Sequence, residues 1–163
     1  MIRRSIVFAL ALLLVLASAP LAVANDHGTA RPIQASMTGE LHWKFDWGNE
    51  TCPVTTVTDS WGTMSHLGWT TAHWTHCPPI VLPTYSNAHA VFVAANGDRL
   101  IATYGNDDMS SPMPVTIIGG TGRFEGATGH LDLYVDISGE WGDDGLPIEP
   151  WSWTGVMKGV ISY

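Results

Sequence analysis

IIGGTGRFEGATG, running from Ile117 to Gly129, is the stretch whose reading decides the fold. Two β-branched aliphatics lead into a segment holding five glycines, which looks like a strand entering a phosphate-binding loop. A dinucleotide loop requires a long helix directly afterwards, with its N-terminus facing the pyrophosphate. Here only Arg123 to Ala127 has room for a helical turn before alternation resumes at Thr128. The G-x-G-x-x-G spacing also fails, because Gly120 and Gly122 fit but Glu125 stands where the third glycine belongs. No Lys-Ser/Thr pair follows, so a Walker loop is excluded as well. The stretch therefore reads as a β-turn or short helical connection between strands. Gly119, Gly120 and Gly122 are expected at positive-φ or crowded positions, with Phe124 tucked into the core.

Outward from this loop the hydrophobic period is two. Leu131, Leu133, Val135 and Ile137 alternate with His130, Asp132, Tyr134 and Asp136. Upstream, Val115 to Ile118 is a short strand. Asn87 to Ala95 and Asp98 to Tyr104 form a hairpin about Asn96-Gly97, a strong type I′ turn signal. Met37, Gly39, Leu41, Trp43, Phe45 and Trp47 alternate with polar residues and predict a long strand with one apolar face. Val54 to Asp59 is a shorter candidate. Trp61 to His76 reads as one extended run, ended by Pro78, Pro79 and Pro83. Trp151, Trp153, Gly155, Met157, Gly159 and Ile161 share a face of the last strand. About eight strands without a long helix predict an all-β fold, a small antiparallel barrel. Glycines within strands permit the coiling that closure needs. A barrel of that size either fills with side chains or holds one small ligand.

Gly119-Gly120-Thr121-Gly122-Arg123-Phe124 followed by Gly126-Ala127-Thr128-Gly129 resembles the motif of the allene oxide cyclase-like barrels, a calycin-like group close to dirigent proteins. Ala94-Ala95-Asn96-Gly97-Asp98 resembles the hairpin that precedes the motif there, and Ser65-His66-Leu67-Gly68 resembles a piece of exported bacterial members. The resemblance is closest over Val91 to Asp136 and extends from Met37 to the end. It implies a ligand held in an apolar lumen without a cofactor. Plant members cyclise a fatty-acid epoxide or steer the coupling of phenolic radicals. The motif is structural, so no functional residue carries over with it.

The chain has 163 residues and begins with Arg3 and Arg4, an apolar run from Ile6 to Ala17, and Ala22-Val23-Ala24. This is the pattern of a secretory signal peptide over residues 1–24. Residues 25–36 read as a flexible leader and 37–163 as one barrel domain. Beyond Arg4, five Lys and Arg stand against fifteen Asp and Glu, a surface that repels nucleic acid and anionic membranes. The expected location is secreted, extracellular or periplasmic, with no membrane contact after cleavage. Cys52 and Cys77 are the two cysteines, expected as a disulfide in an exported chain, with a pair of buried thiols as the alternative. The bridge would stabilise by about 3–4 kcal/mol on the chain-entropy model.

Three groups of residues invite chemistry. Glu40 and His42 share the polar face of the first strand. They are catalytic candidates if that face lines the lumen and ordinary surface residues if it meets water. His73, His76 and Cys77 suggest a metal, but odd spacing sends the two histidines to opposite faces and an oxidised Cys77 is no ligand. No metal and no cofactor are therefore expected. Trp43, Trp47, Trp151 and Trp153 fall on the apolar faces of the first and last strands. They are either core or the walls of a site for a small apolar or aromatic molecule. The reading is a lumen binder. The alternatives are a cofactor-independent cyclase or isomerase, and a polysaccharide-binding module using exposed tryptophans such as Trp141.

Overall fold

The computed structural model describes residues 28–78, 86–105 and 110–163. The proposed signal peptide, Pro79 and Pro83 lie outside the described residues. Eight antiparallel strands close into a barrel in chain order. They are β1 (Arg31–Phe45), β2 (Val54–Met64), β3 (Gly68–Cys77), β4 (Ser86–Ala94), β5 (Arg99–Tyr104), β6 (Met113–Gly120), β7 (Thr128–Trp141) and β8 (Pro147–Ser162). Closure comes from β8 pairing with β1, in a register running from Arg31↔Ile161 to Leu41↔Trp151. A Cβ added to Gly159 would overlap the carbonyl oxygen of His130, so glycine permits the close approach of β7 and β8 there.

IIGGTGRFEGATG is the connection from β6 to β7. A single 3-10 turn at Gly122–Phe124 carries it, with Gly122 at φ 61°. Gly120 is crowded, since a Cβ there would overlap the Arg99 carbonyl. Gly119 departs from expectation: it has open space and no positive φ. Phe124 is fully buried and packs edge-on against Tyr163 at 4.9 Å. The Asn96-Gly97 hairpin locks onto this turn. Asp98 Oδ2 lies 3.4 Å from Arg123 Nε, and the Arg99 N–H donates to Thr121 Oγ1 at 3.1 Å. Together they cap one end of the barrel. Beneath the cap Ile33, Phe92, Leu100, Ile117, Phe124, Leu131 and Ile161 fill the lumen, each 2% exposed or less.

Three boundaries move. β1 begins at Arg31, so residues 31–36 belong to the barrel and the leader of 25–36 is too long. Ile33 and Ala35 already point inward there, and pairing with the end of β8 extends the strand past its visible alternation. The run from Trp61 to His76 is two strands, broken by a turn at Ser65-His66-Leu67 with His66 at φ 69° and Gly68 at φ 75°. Threonines populate both faces of this run, so polarity did not mark the turn. Finally, Gly139 to Pro150 reads in the sequence as an acidic, glycine-rich loop, but β7 reaches Trp141 and β8 starts at Pro147, which shrinks it to residues 142–146.

Candidate functional site

The end opposite the cap holds a cavity of about 240 Å³. Inward positions of β1, β3 and β8 supply its walls: Trp43, Trp74, Trp151 and Trp153. Their rings meet one another at angles. Trp74 and Trp153 have centroids 5.5 Å apart, as do Trp43 and Trp151, and Tyr104 packs edge-on to Trp74 at 5.3 Å. Trp141, at the end of β7, leans over the mouth 5.0 Å from Trp151 and 5.9 Å from Trp43. Indoles in contact at steep angles leave wedges between them, which aliphatic side chains at the capped end do not.

The polar groups of the cavity come mainly from β2 and β3. Thr56 and Thr58 point inward and are buried, and His76 lies in phase with Trp74 on the inner face of β3. The Tyr104 hydroxyl is 2.8 Å from His76 Nδ1, and Thr56 Oγ1 is 2.7 Å from Nε2. Burial pushes the His76 imidazole down to about 4 from its usual 6.5, so the ring is neutral at pH 7. The Trp74 indole N–H donates to Ser60 Oγ at 2.9 Å and that of Trp151 to the Glu140 carbonyl at 3.2 Å. The Trp43 indole N–H is buried and has no acceptor among the described residues. A buried donor left unpaired costs about 1–3 kcal/mol. No Asp or Glu is among the described residues lining the cavity.

The disulfide forms between Cys52 and Cys77, with Cα atoms 5.7 Å apart. It ties the β1–β2 loop to the residue following His76 and so braces this wall of the mouth.

No protein-family model and no curated protein matches the chain. Among solved structures it is similar to a pterocarpan synthase dirigent protein, with 14% identity over 82% of this chain and 86% of that one and a TM-score of 0.49. That likeness concerns a dirigent-like barrel and nothing at the site; the closed barrel itself rests on the strand pairing described above.

Of the residues singled out in the sequence, Trp43, Trp151 and Trp153 line the cavity. Trp47 does not. It lies past the end of β1, is 71% exposed, and packs on Phe45 at 5.6 Å. The strand ends where the Asp46 N–H turns back to the Pro53 carbonyl, so the apparent alternation at Trp47 carries no facing information. Glu40 and His42 point outward, away from the lumen. His42 Nδ1 lies 3.2 Å from Glu149 Oε2, and Glu40 is 3.9 Å from the other ring nitrogen. The condition attached to a catalytic role for this pair, a lumen-facing polar face, is not met. His73 points outward too and pairs with Asp59 at 2.6 Å, while His76 faces inward. Among the described residues no three His, Cys, Asp or Glu side chains gather as a metal site would require.

Trp74, Tyr104 and Thr56 are the residues sequence reasoning left out, and His76 entered it only as a possible metal ligand. One signal was available. Trp74 and His76 are two apart, so a strand that buries one presents the other to the same lumen.

Proposed function

We propose that this is an exported barrel that binds a small apolar or aromatic molecule in its tryptophan-walled mouth. The observation that carries the reading is the cavity of about 240 Å³ walled by Trp43, Trp74, Trp151 and Trp153. Its volume is just below the range of about 300–1,000 Å³ usual for drug-sized ligands, which suits a molecule of one or two rings. Export is supported by the N-terminal leader pattern and by a disulfide, a bond that persists in oxidising compartments.

Native mass spectrometry of the protein recovered from its own host tests both parts. The expected result is a mature chain starting near Asn25 that carries a small adduct, lost in Trp153→Ala. A bare chain, combined with no change in tryptophan fluorescence on titration with 2-naphthol or 2-acetylnaphthalene, would overturn the binding reading. Recovery of an unprocessed chain would overturn export.

A cofactor-independent isomerase is the second reading, favoured by the neutral His76 held between Tyr104 and Thr56 inside the cavity. A His76→Asn variant that keeps the adduct but no longer converts it would support this. An adduct recovered chemically unchanged from wild type and variant alike argues against it.

A further inference from the structure

The outer wall has its own relief, separate from the lumen. A depression of about 580 Å³ crosses the outside of β2, β1, β8 and β7. Trp61 on β2 and Trp69 on β3 stand along one side, 38% and 58% exposed, and Tyr134 on β7 stands opposite, 48% exposed. The strand register explains the trough. Trp61 pairs with Thr38, Thr38 with Thr154, and Thr154 with Asp136, while in the next row Ser36 pairs with Val156 and Val156 with Tyr134. Short side chains therefore occupy the two central strands while rings stand on the flanks. From β2 to β7 is three strand spacings, about 14 Å. The trough also continues at both ends. A depression of about 460 Å³ shares Ser36 and Val156 with it, and another of about 330 Å³ shares Trp61.

From this arrangement we infer that the outer wall carries a binding site for a neutral polysaccharide chain. Rings on the flanks suit the C–H faces of pyranose units, and the Ser36, Thr38 and Thr154 hydroxyls with the Asp136 carboxylate suit sugar hydroxyls, which both donate and accept. An apolar partner would strip water from that floor without replacing its hydrogen bonds. The chain's net charge of −8 disfavours acidic glycans. Adjoining depressions fit an extended chain better than a single sugar. Because Trp61, Trp69 and Tyr134 point away from the lumen, this site is independent of the ligand cavity.

Depletion of the full-length secreted protein from solution by microcrystalline cellulose, chitin and starch granules tests it. At least one of the three should retain the protein, and high salt should not release it. Trp61→Ala/Trp69→Ala should lower the partition coefficient about tenfold or more, Tyr134→Ala several-fold, and Trp153→Ala, in the lumen, not at all. Near-UV circular dichroism confirms that each variant is folded. Retention by none of the three glycans, or retention equal in wild type and double variant, overturns the site. So does sedimentation showing a wild-type oligomer that the double variant dissolves, since a second copy of the chain would then cover this face.

Discussion

The two ends of this barrel use equivalent inward positions in different ways. At the capped end, Ile33, Leu100, Ile117, Leu131 and Ile161 interdigitate around Phe124 and leave no solvent access. At the other end the same β1 and β8 carry Trp43, Trp151 and Trp153, with Trp74 and His76 from β3, and a cavity of about 240 Å³ remains. Branched aliphatics tile a round lumen; rings meeting edge to face do not. The difference teaches a division of labour within one closed sheet. The capped end holds the fold, and the mouth holds an open cavity walled by rings.

The strongest way to break that division is at the cap. Phe124→Ala should cost about 3–5 kcal/mol, read as a lowered urea midpoint, because the ring is fully buried beneath a connection tied down on several sides. A near-neutral result would mean the cap is not where stability resides. Next comes the brace at the mouth. Cys52→Ser/Cys77→Ser should cost about 3–4 kcal/mol in thermal unfolding. It should also weaken lumen binding more than it would if the bridge lay at the capped end, since Cys77 follows His76 directly.

Acid sharpens the contrast through His76. Its ring prefers the neutral form when folded, so the unfolded chain binds one more proton between about pH 4 and 6.5. The stability contributed by neutral His76 is therefore complete above pH 6.5, declines as pH falls through that window, and is gone below about 4. The loss amounts to roughly 3 kcal/mol. Urea midpoints measured at pH 7 and pH 4.5 should differ less in His76→Gln than in wild type; equal differences would place His76 outside the low-dielectric mouth. The smallest effects belong to the tryptophans. Trp43→Phe should change the stability of the empty barrel by less than about 1 kcal/mol, because it deletes an unpaired buried donor along with some packing. Trp47→Ala should stay within about 0.5 kcal/mol and leave binding unchanged.

Legibility in the sequence followed the same division. The capped end was readable because its signals are local and steric: an Asn-Gly hairpin, glycines that cannot be replaced at crowded positions, and strict alternation of Leu131, Leu133 and Val135. The mouth was half readable. β1 and β8 alternate large apolar with polar side chains, so Trp43, Trp151 and Trp153 were placed by period alone. β2 was not, because its inner face is Val54, Thr56, Thr58, Ser60 and Gly62. Hydroxyl-bearing residues there face a lumen left partly open, and they look like a solvent face to any hydropathy argument. The polarity of Glu40 and His42 misled in the opposite direction. It marked the outside of the wall, where Glu149, the partner of His42, comes from a strand more than a hundred residues away in sequence.

One consequence concerns orientation. β1 starts and β8 ends at the capped end, where Arg31 pairs with Ile161 and Gly28 lies against the backbone of Tyr163. Both ends of the described chain therefore leave from the sealed base. A carrier or support joined after Tyr163 holds the barrel by that base, on the side away from the tryptophan-walled mouth.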